Sequence, residues 1–457
     1  MASLGACLPS LGQWQQLGSG LNGGVRSMNF DDTNDRLYTF GFYAMYGGSF
    51  PEDAVSAAYW QDNAWQQLGL GLDEGPAVSS VLLGGDSVLV SGFFFGAIGV
   101  PDTRYTALWD GTQWRSIGSG GSHGIAWGLL DNEDGVTAAG AFDSIAGIPA
   151  NRIARLSNGT WESICAHPTT GGFISYQTVT KYNGDYIFGG NINLPEIKEI
   201  GWLDGDTLRQ LGPGILGDSW VNDMVVYEDK VFIGGEFYAA SGNPGSGLMT
   251  WDGTAYADPV PGVQFTTQVV DLDVHNGEVF ISGRSQLPGS SDYYSLARYN
   301  GDHICLFGKN LNTVFLAIAA SDNELFVAPN MITLGLDGDT VNYIARYDLT
   351  YPADTCVDLT TGLRDRNPQN EPWAIGPNPC SDHLVITHGV SIAQNERRSL
   401  LITDALARTL FQQDLSRVDP IAPVLVRLPR LPAGSYMANV LNADGAVVHS
   451  QHLLIVQ

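Results

Sequence analysis

Positive charge is what this sequence has least of: 22 Lys and Arg stand against 48 Asp and Glu, a formal net charge of −26. From Ala374 onward six Arg meet six acidic residues, so the excess lies before it, with 42 acidic residues against 16 basic. A surface that acidic repels phosphate backbones, which excludes nucleic acid as a partner. Cysteine is sparse and unpaired in pattern: Cys7, Cys165, Cys305, Cys356 and Cys380 include no CxxC, so neither a zinc site nor a thioredoxin-type motif is indicated. No apolar run approaches the roughly 20 residues of a membrane-spanning helix. Residues 1–10 lack the basic start and apolar stretch of a signal peptide, so none is expected within this chain. Leu4 to Cys7 has lipobox-like spacing but no apolar segment before it.

Motifs for chemistry are absent too. No G-x-S-x-G, H-E-x-x-H or Walker A sequence occurs. Gly212 to Gly217 fits G-x-G-x-x-G, but Pro213 sits inside it and no helical pattern follows, so the phosphate-binding helix end is missing. The eight His are scattered without ligand spacing. Of these, His123 and His275 fall at or beside inner strands, a position open to an axial channel, although His placed singly more often serves as a polar loop or channel-wall residue. Three acidic runs, Asp31–Asp35, Asp131–Asp134 and Asp337–Asp339, are oxygen-rich enough for Ca²⁺. Two of them sit at expected strand turns, where Asp and Asn are favoured for backbone reasons. No catalytic residue and no cofactor is therefore assigned, with Ca²⁺ the one ion considered.

What the chain has in abundance is glycine, 56 residues, and tryptophan, 11. They recur in register. Trp14-Gln-Gln-Leu-Gly18 returns as Trp65-Gln-Gln-Leu-Gly69, then more loosely at Trp114, Trp161, Leu208, Tyr256 and Ile304. A second marker, an aromatic residue before Asp-Gly or Asn-Gly, precedes each copy, as at Trp109-Asp-Gly111 and Trp251-Asp-Gly253. Such pairs supply the positive φ of hairpin turns, with type I′ turns the expectation. A third marker ends in glycine, as at Phe188-Gly-Gly190 and Ile233-Gly-Gly235. Four short strands per unit of about 48 residues is the pattern of a propeller blade. Eight of the 11 Trp occupy the two repeat Trp positions, where packing between blades is their expected work. Seven units end at Tyr347, and the missing last strand is supplied by the extra copy at Trp14. The expected fold is all-β: a seven-bladed β-propeller over residues 11–357, a polar linker over 358–373 and a small antiparallel β-sandwich over 374–457. Residues 11–18 should pair beside residues 343–348, removing an open edge.

The repeat resembles kelch-like propellers and, more closely, Rax2-like extracellular propeller repeats. The tail resembles a type IX secretion system type A sorting domain of Bacteroidota. That resemblance rests on Pro377, Asn378 and Pro379, then Leu384, Asp404, Arg408, Gly434, Tyr436 and Gly445, in the family's order. Ala407 stands where the family has Gly, and no Lys lies near the final strand. The resemblance implies export through the type IX machinery as partner and a secreted or outer-surface location. A copper-radical oxidase, which some kelch proteins are, would need Cys, Tyr and His converging on the axis, and these Cys fall at strand ends or termini. Two functions stay open: a binding or structural module for a glycan or surface protein, and a glycan-active hydrolase or lyase on the same scaffold. One disulfide is expected, Cys7 to Cys356, because both should emerge at one end of the closing blade.

Overall fold

The structure is a computed structural model that describes residues 14–43, 56–73, 75–166, 173–217, 219–311, 313–330, 333–334, 340–359, 373–376, 383–388, 399–403, 408–415, 424–429, 431–432, 434–441 and 447–455. It is all-β: among the described residues there is no α-helix, and many small antiparallel sheets make up the chain. The chain divides into two compact units, Met1–Val357 and Asp358–Gln457.

Among the described residues the first unit contains seven antiparallel sheets built on four strands, the third with an added short strand Ile148–Pro149, and a two-stranded sheet of Thr333–Leu334 and Thr340–Val341. The first runs Val25–Asp31, Arg36–Gly41, Ala57–Gln61, Ala64–Gln67. The sixth adds a fifth strand, Thr355–Asp358, outside His303–Lys309. The seventh consists of Phe315–Ala320, Glu324–Pro329 and Ala345–Asp348, and its outermost strand comes from the other end of the chain: Trp14 lies opposite Tyr347, and Gln16 opposite Ala345. Each sheet's first strand touches the first strand of the next, and the seventh's touches the first's, so the succession closes.

The repeat markers have physical reasons. The glycine of Trp-x-x-Leu-Gly takes a left-handed conformation, φ +60° at Gly69, and a Cβ there would lie 3.1–3.2 Å from Trp114 and Trp109 of the next sheet. The same contact joins Gly18 to Trp60 and Gly212 to Trp251. The indole N–H of Trp65 donates to the Leu17 carbonyl (3.1 Å), and that of Trp114 to the Leu68 carbonyl (2.8 Å). Trp and Gly of successive repeats are thus one interlock between neighbouring sheets. The turns are mixed. Asp62–Asn63 and Asn158–Gly159 have the two positive φ values of a type I′ pair. At Asp110-Gly111 only the glycine is left-handed, and Asp110 Oδ1 accepts the Thr112 and Gln113 N–H groups instead.

The expected Cys7–Cys356 bond is corrected: Cys356 is bonded to Cys305. The chain leaving the seventh sheet does not stop beside its own first strand. It turns to the sixth sheet and lays Thr355–Asp358 along that sheet's outer edge, where Cys305 sits. Cys7 and Cys380 lie outside the described residues, and Cys165 is buried. Non-reducing peptide mapping should join the Cys305 and Cys356 peptides; a Cys7–Cys356 peptide would contradict the structure. Chain-entropy reasoning for the sequence separation of 51 gives on the order of 4 kcal/mol of stabilisation.

In the second unit a three-stranded sheet (Trp373–Gly376, His383–His388, Val424–Arg427) and a four-stranded sheet share one buried cluster. Leu384, Ile386, Leu400, Ile402, Tyr436, Ala438 and Val440, the alternating apolar positions of the sequence, all belong to it. The first strand begins at Trp373, one residue inside the expected linker.

Candidate functional site

In all seven sheets the first strand carries a register shift at the same place, so one residue is left over against the second strand. These residues are Arg26, Val78, Trp127, Gln177, Asn222, Val270 and Leu316. A β-bulge re-aims a side chain. All seven line a single axial pocket of about 990 Å³. The third repeat marker explains why. In six sheets the residue before the bulge lies opposite the marker glycine, as Ala126 lies opposite Gly140 and Tyr176 opposite Gly190. A Cβ at Gly140 would stand 2.1 Å from the Ile125 carbonyl oxygen, and at Gly190 2.2 Å from that of Ser175. The glycine is the space into which the bulged backbone sinks. In the seventh sheet the marker position is Ala328, which pairs with Ala317, one residue after the bulge.

In sheets four to six the residue after the bulge reaches sideways. Thr178 Oγ1 donates to Asp223 Oδ1 (3.0 Å), and the Leu272 N–H of the next sheet donates to Asp223 Oδ2 (2.9 Å). Asp271 Oδ2 accepts the Ile318 N–H (2.7 Å), and Asp273 Oδ2 the Ala320 N–H (2.6 Å). These carboxyls stitch sheets four to seven together along the axis. Gly128 holds the equivalent position where the fourth sheet comes closest: a Cβ there would be 2.8 Å from Thr178 Cα.

Asp223 and Asp271 face one another closely enough that each influences the other's charge. Burial pushes Asp223 up to about 6, against the N–H groups that hold it down. Burial and the facing Asp223 carboxylate raise Asp271 well above the ordinary carboxylate range. Both folded values lie above the unfolded value of about 4. Their contribution to stability is therefore fully present below pH ~4 and is lost as pH rises through the raised folded values, about 6 for Asp223. Asp271→Asn keeps a donor toward Asp223 and an acceptor for Ile318. It should raise stability at pH 7.5 and change little at pH 4. Thermal melts at both pH values check this; equal shifts at both would contradict it.

Two faces flank the pocket. First strands begin, and second strands end, on one face. There Phe42, Phe93, Phe95, Trp220 and Tyr238 are 62, 45, 52, 38 and 39% exposed. Phe93 meets the ring of the axial Trp127 edge-on at 5.4 Å, and the Arg104 guanidinium lies 5.3 Å from the Phe95 ring centre. The opposite face carries the hairpins between first and second strands. Here His275 is clamped rather than turned into the pocket, its Nε2 3.0 Å from Asp322 Oδ1 and its Nδ1 3.8 Å from Asp32 Oδ2. Asp32, His275 and Asp322 are the described residues that could hold a metal, and a mixed nitrogen and oxygen set suits a transition metal better than Ca²⁺. His123 sits on the aromatic face, exposed, 3.6 Å from Asp143.

The acidic runs otherwise do structural work. Asp31 Oδ1 accepts the Thr33 N–H of its own turn, and Glu133 and Asp134 both pair with Lys181. Asp337–Asp339 lie outside the described residues. So do Pro377, Asn378, Pro379, Asp404 and Gly445 of the tail. Of the rest, Leu384 and Tyr436 are core residues, and the Tyr436 hydroxyl donates to the Pro432 carbonyl (2.8 Å). Gly434 lies one residue before Ser435 in the same strand as Tyr436, and Arg408 precedes the strand Thr409–Asp414. The bulge ring itself was not expected from sequence, although its marker, the repeat glycine, was in plain view.

No protein-family model matches the chain, and no curated protein matches it. Among solved structures the computationally designed protein Ika8 is 9% identical, covering 96% of this chain and 100% of that one, with a TM-score of 0.27. The extracellular domain of the putative one component system BT4673 from B. thetaiotaomicron is 10% identical, covering 94% of this chain and 69% of that one, with a TM-score of 0.27. YjhT is 12% identical, covering 77% of this chain and 97% of that one, with a TM-score of 0.33. At these scores the likenesses carry no inference about fold or function. Among the described residues no helix is long and apolar enough to cross a membrane.

Proposed function

We propose that the chain is a secreted or surface-attached glycan-binding protein: a seven-bladed β-propeller followed by a type IX sorting domain folded as a β-sandwich. The seven equivalent sheets and their closed succession of first strands support the propeller. The Cys305–Cys356 bond supports an oxidising location. The single observation that carries the binding function is the set of exposed aromatic rings on the face where first strands begin, with Phe93 packed against Trp127 of the axial pocket. Aromatic faces are stacking platforms, and solvent-exposed apolar groups in a cluster mark an interaction site.

The alternative, a hydrolase or lyase, would draw on neighbouring carboxyls of the pocket wall such as Asp223 and Asp271. Glycosidases hold their two carboxyls about 5 Å or more apart, with the sugar between them. The oxygens of Asp223 and Asp271 accept backbone N–H groups of the neighbouring sheets instead. That arrangement favours wall over catalyst. A glycan array probed with the whole chain tests the reading. Binding should fall at least tenfold in Phe95→Ala or Trp127→Ala; an array without hits would contradict it. Export is tested separately: a chain ending at residue 375 should stay in the periplasm, and its normal secretion would refute the sorting role.

A further inference from the structure

We infer that the axial pocket takes a sugar bearing a carboxylate, such as a uronate, with Arg26 as the group that recognises the acid; this rests on the glycan-binding reading above. The basis is one uncommitted cation on the pocket wall. Several basic residues are paired, Arg36 with Asp86, Lys181 with Glu133 and Asp134, Arg298 with Glu278 and Arg346 with Glu324, and of these Lys181 also lines the pocket. Arg26 has no hydrogen bond or ion pair among the described residues, and it is exposed within the pocket it lines. It is aimed there by the bulge, between Val25 opposite Gly41 and Ser27 opposite Phe40.

The other bulge side chains complete a recognisable chemistry. A guanidinium offers a planar fork that fits a carboxylate. Trp127, held edge-on by Phe93, presents a ring for stacking against a sugar face. Gln177 and Asn222 bring amides to the same level. Val78, Val270 and Leu316 are the apolar members of the bulge ring, and Glu133, Asp223, Asp271, Asp273 and Lys181 also line the pocket. The hydroxyls of a sugar and one negative charge match this ring; a neutral apolar ligand would leave Arg26 desolvated and unpaired, which is costly. Lys181, the other cation of the lining, is held by Glu133 and Asp134, so Arg26 is the lining cation left for an acid group.

The test titrates the full chain calorimetrically with D-glucuronate, with glucuronamide as its neutral isostere, and with lactate as a carboxylate that is not a sugar. Glucuronate should bind at least tenfold more tightly than either. Arg26→Ala should abolish that preference and Arg26→Lys restore part of it, both with unchanged thermal midpoints because Arg26 supports no contact. Equal binding of glucuronate and glucuronamide, lost in Trp127→Ala but not in Arg26→Ala, would overturn the inference and leave the glycan-binding reading standing. Lactate binding as tightly as glucuronate would overturn the sugar class. No binding of any of the three, with array hits confined to neutral glycans, would overturn the acid class alone.

Discussion

Replacing Gly140 by alanine should destabilise the first unit by about 3 kcal/mol or more, and replacing Gly24 by alanine should not. The two differ in surroundings alone. At Gly140 the new Cβ would meet the Ile125 carbonyl oxygen at 2.1 Å and Ala126 Cα at 2.7 Å, and nothing lies within 4 Å of the Cβ position at Gly24. Overpacking of side chains typically costs 1–3 kcal/mol, and here the obstacle is backbone that cannot rotate away. Relief requires the bulge at Trp127 to flatten, which would turn that ring out of the pocket and reverse the pairing of the strand. Gly140→Ala should therefore lose ligand binding along with stability. Urea melts of both variants check the prediction; equal midpoints would show that the glycine is not what permits the bulge.

Trp14→Ala should have the other large effect. Its ring stacks on Phe315 at 5.9 Å and meets Tyr347 edge-on at 4.9 Å. It also lies 3.7 Å from the Cβ position of Gly308 in the sixth sheet, so it touches two sheets at once. Large-to-small changes of this kind cost about 3–5 kcal/mol. The loss should come with a change of solution state, since releasing Trp14–Gln16 leaves Ala345–Asp348 as an unpaired edge able to recruit another chain. Light scattering of the variant should show oligomers that the parent lacks. A monomer with an unchanged melting midpoint would mean that the N-terminal strand does not close the structure. The Cys305–Cys356 bond does not protect against this opening, because it fastens the sixth sheet to the chain's exit and leaves Trp14 free to peel.

Much of this was legible in the sequence because the repeat is written in residues with strong local demands. Glycines with positive φ, Asp-Gly turns and paired tryptophans announce themselves, and counting them led to seven units and to Trp14 as the displaced strand. The bulge ring was not legible in the same way. Arg26, Val78, Trp127 and Gln177 share a position but no chemistry, so no residue pattern marks them. They are located by the neighbouring glycine, and only once strands are in register. The disulfide was not legible because nothing in the sequence marks the path after Tyr347 as turning from the seventh sheet to the edge of the sixth. The four residues Thr355–Asp358 carry no alternation that would betray them as an extra edge strand. The Asp32, His275 and Asp322 grouping was equally hidden, since its members lie far apart in the chain and meet through the closing of sheets one, six and seven.

A structure of the full chain bound to its strongest array ligand tests the central claim most directly. The account predicts the glycan on the axis, in contact with Trp127 and at least two other bulge side chains, entering from the face that carries Phe42, Phe93 and Phe95. A glycan seated on the hairpin face near His275, or on the second unit with the axial pocket unchanged, would contradict it.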